Sequence, residues 1–205
     1  AAFPRVAGRD PAARAAIAEA HPALGGEGPL LLLPGRGTRL KGHTDAIGLL
    51  ARLRAGGQDA RLWMPGAVQD GRDAYLGELQ RLAADAGVDE ALAMTEPTGG
   101  MAAAYAASDL VLQLSRKPEA FGRTVVEALA VGRPVLGWAH GGVGELLAEL
   151  QPAGAVPPFD AAALAEAAGR LLAHPPQPPA TMPYTLAAMQ QATLALYGEM
   201  VGDAG

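Results

Sequence analysis

Two carboxylates eight positions apart, Glu119 and Glu127, enclose the run Phe121-Gly122-Arg123-Thr124. Along a continuous helix, eight steps of ~100° and ~1.5 Å turn Glu127 about 80° from Glu119 and carry it about 12 Å along the axis. Two acids that work on one bond stand about 5–10 Å apart. The pair is therefore better suited to gripping one elongated ligand at two points. Between the grips, N–H groups freed at a helix start near Gly122, Arg123 and Thr124 can hold an anion. A polar group, an anion and a second polar group are the outline of a nucleotide sugar. A second cluster, Arg36, Arg39 and Lys41, lies in the glycine-rich loop Gly35–Gly42, and a third segment reads Gly141-Gly142-Val143-Gly144-Glu145. Each has an ordinary alternative when taken alone. A carboxylate ahead of a helix start is stabilising by roughly 0.3–1 kcal/mol without any ligand, and a basic turn is often just solvated.

The elements around these residues give the three segments a common setting. Leu30–Leu33 is a short, continuously apolar run, as in a parallel strand buried on both faces. The basic loop follows it, then a helix with Ile47, Leu50 and Leu53 inward that ends at Gly56-Gly57. Further strands are predicted at 60–64, 91–94, 109–114, 133–138 and 153–156. Helices are predicted from Asp10-Pro11 to Ala20, over 70–86 with Tyr75, Leu79 and Leu82 inward, over 101–107, after Gly122 and after Gly142. One more starts at Asp160, and a last one runs from Thr185 to Met200. About six strand–helix units follow, an α/β fold with a Rossmann-like doubly wound parallel sheet. In such a sheet a glycine loop between strand and helix is where phosphate binds.

Sharper phosphate motifs fail. No Gly-Lys is followed by Ser or Thr, and Gly35-x-Gly37 has Leu40 where a third glycine would stand. Gly142-x-Gly144 likewise meets Leu147, so a dinucleotide-dependent dehydrogenase is disfavoured. His140 stands alone and reads as a loop residue.

Glu119 to Glu127 with Phe121-Gly122 inside resembles the E-x7-E motif of retaining GT-B glycosyltransferases, family 4 in particular. Gly35-Arg36-x4-Lys41-Gly42 resembles that family's basic loop, and Gly141-Gly142-x-x-Glu145 its segment after the following strand. Ala120 departs from the family's Glu-Gly-Phe-Gly. The resemblance covers residues 30–173 and implies one half of a two-domain GT-B architecture, the donor-binding C-terminal half. It implies that Arg36 and Lys41, beside Gly35, clamp the donor diphosphate and stabilise the leaving nucleoside diphosphate. Glu119 would hold donor-sugar hydroxyls and Glu127 the ribose hydroxyls. Phe121, Gly122, Arg123 and Thr124 would offer backbone N–H groups, and Gly141 and Gly142 would let the backbone approach the ligand. Thr95 would lie near the base. No metal or other cofactor is expected beyond the nucleotide-sugar substrate. The implied activity is that of a hexosyltransferase-type enzyme acting with retention. A non-catalytic nucleotide-sugar-binding or regulatory module that kept the pocket remains the alternative, and a GT-B-shaped epimerase is weighed down by the combined motifs.

Composition bounds these readings. The 205 residues are 50% hydrophobic, ample for one large core. A net charge of −5 argues against nucleic acid as the partner. The absence of cysteine leaves no disulfide framework and fits an expected cytoplasmic setting. No apolar run nears the ~20 residues of a membrane span. The expected division is a linker and helical segment at 1–28, the nucleotide-sugar-binding domain at 29–174, and a Pro-rich connector with a helix at 175–205. That last helix is expected to pack toward an N-terminal acceptor-binding domain. The chain begins at Ala1 and is expected to be part of a longer protein, with little turnover alone and membrane contact only through the other half.

Overall fold

The structure, a computed structural model, describes residues 3–184. The helix expected over 185–200 lies outside the described residues. Six parallel strands form one sheet: β1 (Leu30–Leu32), β2 (Arg61–Pro65), β3 (Leu92–Thr95), β4 (Leu110–Gln113), β5 (Val135–Trp138) and β6 (Ala155–Val156). Their order is β3-β2-β1-β4-β5-β6. The chain thus winds outward one way from β1 and then the other way from β4, and the switch falls between these two central strands.

Side chains alternate across the sheet, as a period of two requires. Leu31, Leu33, Leu62, Met64, Leu112 and Trp138 face a layer made by α2 (His43–Ala55), α3 (Asp73–Asp85) and α7 (Ala161–Ala173). Leu30, Leu32, Trp63, Val111 and Val135 face α4 (Met101–Ala107), α5 (Arg123–Val131) and α6 (Gly141–Leu150). Leu30 to Leu33 are each at most 1% exposed. Burial on this scale favours folding by about 1.5–3 kcal/mol per leucine relative to exposure, so three residues suffice for a central strand.

Helix α1 (Pro11–Ala20) begins where Asp10 accepts hydrogen bonds from the N–H groups of Ala12 and Ala13, and it packs on α4. Ahead of it, Val6 N–H donates to Val131 O at 2.9 Å and Asp10 N–H to Ala106 O at 2.8 Å, tying the entering segment to the α4–α5 face. Asp160 caps α7 in the same way. A single 3-10 turn over Pro22–Leu24 intervenes before β1, and Leu24 is fully buried.

Two expectations need correction. The third helix starts at Asp73, after a turn through Gly71 at a φ of 73°, three residues later than the apolar spacing predicts. Leu82 is 38% exposed, because the buried stripe of α3 runs through Tyr75, Leu79 and Ala83 and Leu82 lies beside it.

Candidate functional site

The loop after β1 and the loop after β4 meet across the switch point. Arg116 N–H donates to Leu40 O at 2.8 Å, stitching one loop to the other. Gly42 makes the closest approach. Its φ is 76°, and a Cβ there would sit 2.1 Å from Leu114 O. Only glycine tolerates both the left-handed backbone and that proximity. Gly37 is equally enclosed, with Ala67 O 2.2 Å from a notional Cβ. The basic loop is therefore a packed structure and not a free turn.

Lys41 Nζ is ion-paired and hydrogen-bonded to Glu119 Oε1. Ser115 Oγ donates to the same oxygen at 2.5 Å, and Gln113 Nε2 donates to Oε2 at 3.0 Å. Gln113 and Ser115 are about 5% exposed, so Glu119 is held by two buried donors and one cation. Burial pushes its carboxyl up. Lys41, Ser115 and Gln113 outweigh this, and the net result lies below the usual glutamate value. The three basic side chains of the loop part company. Arg39 pairs with Glu78 and lies 5.1 Å over the Tyr75 ring, away from the crevice. Arg36 is exposed and, among the described residues, makes no ion pair.

Glu127, in the second turn of α5, accepts a hydrogen bond from Tyr105 OH at 2.9 Å and sits 3.5 Å from Arg123 Nε. Gly122, buried and without a side-chain cap, precedes α5. Its carbonyl accepts from Val125 and Val126 N–H, while the N–H groups of Arg123 and Thr124 have no partner among the described residues. These two donors sit at the positive end of a nine-residue helix, in the stretch between the two carboxylates. Phe121 is 39% exposed and meets the Tyr184 ring edge-on at 5.9 Å. Ala120 causes no strain, since Phe159 is the one non-glycine residue with positive φ among those described.

The Gly141-Gly142 segment opens α6 against the Glu119 loop. A Cβ on Gly141 would stand 2.8 Å from Glu119 O, and one on Gly142 2.5 Å from Ala120 O. Gly142 N–H donates to Glu119 O at 2.8 Å. The close approach that these glycines allow is to residues 118–121, so they position Glu119. Thr95 closes β3 with its groups engaged. Its carbonyl accepts from Gly66 and Val68 N–H, and its hydroxyl accepts from Trp63 Nε1 at 3.1 Å and donates to Glu96 O at 3.0 Å. It stands apart from the Lys41–Glu119 pair, two strands away across β2 and β1. His140 donates through Nε2 to Ser115 O at 2.9 Å, a bond that supports the loop.

Four residues here carry no motif signal: Tyr105, Gln113, Ser115 and His43. His43 opens α2 fully buried beside the loop, and burial lowers its pKa to about 4, so the imidazole is neutral at pH 7. Its Nε2 has no hydrogen-bond partner among the described residues. Among the described residues, no three His, Asp or Glu side chains gather as a metal site, and no helix is long and apolar enough to cross a membrane. Hollows of about 660 and 540 Å³ lie by Arg9, Asp109 and Arg133 at the amino ends of the strands. Ligands of open α/β sheets bind at the carboxyl ends, at the switch point, and the constellation above lies there.

The family model described as Glycosyl transferases group 1 matches residues 17–184. The chain belongs to this family. Three solved structures show how it fits. A glycosyltransferase from Rickettsia africae is 22% identical, with a TM-score of 0.81 over 94% of this chain and 52% of its own. HepE from Anabaena, solved with UDP and glucose, is 22% identical, with a TM-score of 0.70 over 82% of this chain and 44% of its own. The C-terminal domain of the group 1 protein LpcC from Francisella tularensis is 19% identical, with a TM-score of 0.67 over 84% of this chain and 86% of its own. This group 1 chain therefore has the Rossmann-like fold of a GT-B C-terminal domain and spans about half the length of the Rickettsia and Anabaena proteins. No curated protein matches the sequence.

Proposed function

We propose that this chain binds a nucleoside diphosphate sugar across the β1–β4 crevice and serves as the donor half of a glycosyltransferase. The observation that carries this reading is the Lys41–Glu119 pair, set at the switch point beside the unpartnered N–H groups that open α5. HepE, whose structure holds UDP and glucose, supports the ligand class. In this reading Arg36, Lys41 and the start of α5 meet the negative charge that grows on the diphosphate as the glycosidic bond breaks. Charge met by preorganised groups in the transition state lowers the barrier. Glu119, fixed by Gln113 and Ser115, accepts hydrogen bonds from the sugar hydroxyls, and Glu127 accepts them from the ribose. Thr95, whose carbonyl and hydroxyl are already engaged, would lie near the base only as the family resemblance implies.

The finer proposal is transfer of a hexosyl unit with retention, as in family 4. The acceptor would bind to an N-terminal domain facing this one. Turnover by this chain alone would then be slight, and any membrane contact of a cytoplasmic protein would come through that other domain.

Calorimetric titration with UDP, GDP, ADP and their glucose or mannose conjugates tests the donor site. Binding of one base, weakened about tenfold or more by Lys41→Ala and by Glu127→Ala, supports it. Binding that neither substitution alters overturns it.

A further inference from the structure

Glu127 is useful as a ribose grip only if its carboxylate points one way in the absence of ligand. Its own helix does not ensure this. The side chain starts from α5, its contact to Arg123 is a loose 3.5 Å, and the Arg123 side chain is 85% exposed. Such exposed pairs hold geometry weakly. The firm contact comes from another element, Tyr105 in α4, 22 residues earlier, whose hydroxyl donates to Glu127 Oε2 at 2.9 Å.

Tyr105 is itself well fixed. It is 1% exposed and belongs to the core cluster that holds Val125, Val126 and Leu129 of α5. Phe3, at the start of the described chain, meets its ring edge-on with centroids 5.8 Å apart. Helix α4 also packs against α1. A rigid ring delivers one polar atom to one carboxylate oxygen. A carboxylate has about four acceptor sites, so Oε1 and the remaining lone pair of Oε2 stay open to two vicinal hydroxyls.

We propose that Tyr105 is a positioning residue for donor recognition: its hydroxyl orients Glu127 so that the carboxylate accepts both ribose hydroxyls of the bound nucleotide. This rests on the donor-site reading above. Burial, then the adjacent Glu127 charge, pushes the phenol well above its ordinary range, so it remains a donor at any working pH. With the phenolic proton on Oε2, turning the carboxylate away forfeits a buried, charge-assisted hydrogen bond and leaves the hydroxyl only the Thr124 side chain, its other polar neighbour.

The test separates orientation from simple packing by reading the ribose itself. The full chain is titrated with UDP, GDP and ADP and with their 2′-deoxy forms, as wild type, Glu127→Ala, Tyr105→Phe and the double variant. Tyr105→Phe keeps the ring and removes only the hydroxyl. The expected result is a wild type that prefers the ribo form and a Tyr105→Phe variant about tenfold weaker toward it. The deoxy form should be much less affected, so the ribo-to-deoxy preference shrinks, and Tyr105→Phe should add nothing once Glu127 is alanine. An unchanged preference in Tyr105→Phe, or an equal loss for both forms, overturns the proposal. If Tyr105→Phe alone is silent, the donor site stands without it. If the wild type binds no nucleoside diphosphate, or Glu127→Ala leaves the preference intact, the donor-site reading fails and this inference with it.

Discussion

Lys41 and Glu119 lie 78 positions apart and are ion-paired across the crevice between β1 and β4. The cation on one side of the site and the carboxylate on the other are thus neutralised by each other before any ligand arrives. A diphosphate entering beside Lys41 competes for a charge already in use. Glu119→Gln removes the competitor, so affinity for a free nucleoside diphosphate should hold or rise by about two- to fivefold. The added affinity that the sugar of a nucleotide sugar brings should fall, because an amide accepts fewer hydrogen bonds from hydroxyls. Titration with UDP and UDP-glucose, side by side, reads the two effects. A fall in both affinities would contradict this account of the pair.

The same pair gives a salt dependence. Phosphate held by Lys41, Arg36 and a helix start is an electrostatic contact at a partly exposed site, and the Debye length shortens from about 10 Å at 0.1 M to about 3 Å at 1 M. Nucleoside diphosphate affinity should weaken about tenfold over that range in the wild type and distinctly less in Lys41→Ala. Parallel salt profiles would mean that Lys41 does not meet the phosphates.

Much of the scaffold was legible because its signals are local. Leu30–Leu33 announces a strand buried on both faces, Asp10-Pro11 and Asp160 announce helix starts, and Gly42 announces a tight loop. The carboxylates and basic residues of the crevice were legible as separate motifs, though their partners were not. Tyr105 sits in an Ala-rich helix whose composition suggests only packing, and its partner is 22 residues on. Gln113 and Ser115 belong to an apolar strand and its end, where nothing distinguishes them until the chain turns Glu119 back onto them. Gly141 and Gly142 signalled a close approach, but a missing Cβ does not say what comes near, and the neighbour is the 118–121 loop. Leu82 fitted the helical period yet is 38% exposed, since the residues actually buried follow the i, i+4 line of Tyr75, Leu79 and Ala83.

Gly42 should be the least replaceable residue of the loop. Gly42→Ala places a Cβ against Leu114 O on a backbone with φ of 76°. Strain of about 1–3 kcal/mol from the backbone adds to a clash of similar size. Urea unfolding should show a loss of roughly 2–5 kcal/mol. Gly48→Ala is the control, since it sits in α2 with nothing within 4 Å of its notional Cβ, and it should be neutral or slightly stabilising. Equal effects of the two substitutions would show that the stitch between the loops carries little stability.

His43 sets a pH window. Its folded pKa of about 4 lies below the ordinary histidine value of 6.5, so the unfolded chain binds the proton that the folded chain refuses. Stability should therefore be complete above pH 6.5 and decline as pH falls toward 4, by about 3 kcal/mol in all. Glu119 works in a separate, lower window. Its carboxyl is depressed below 4.5, so its contribution is lost only as pH falls below that value. His43→Gln removes the titration and should flatten urea-derived stability between pH 6.5 and 4.5 while leaving the fall below 4.5. A wild-type profile already flat from 6.5 to 4.5 would mean that the imidazole takes up its proton without cost, and that the space around Nε2 admits water. The neutral imidazole also matters to the loop, because a cation at His43 would stand beside Lys41. Binding of a nucleoside diphosphate sugar, whose doubly esterified diphosphate has no proton to lose between pH 5 and 8, should accordingly show no step at pH 6.5, in contrast to a site where a histidine titrates against phosphate.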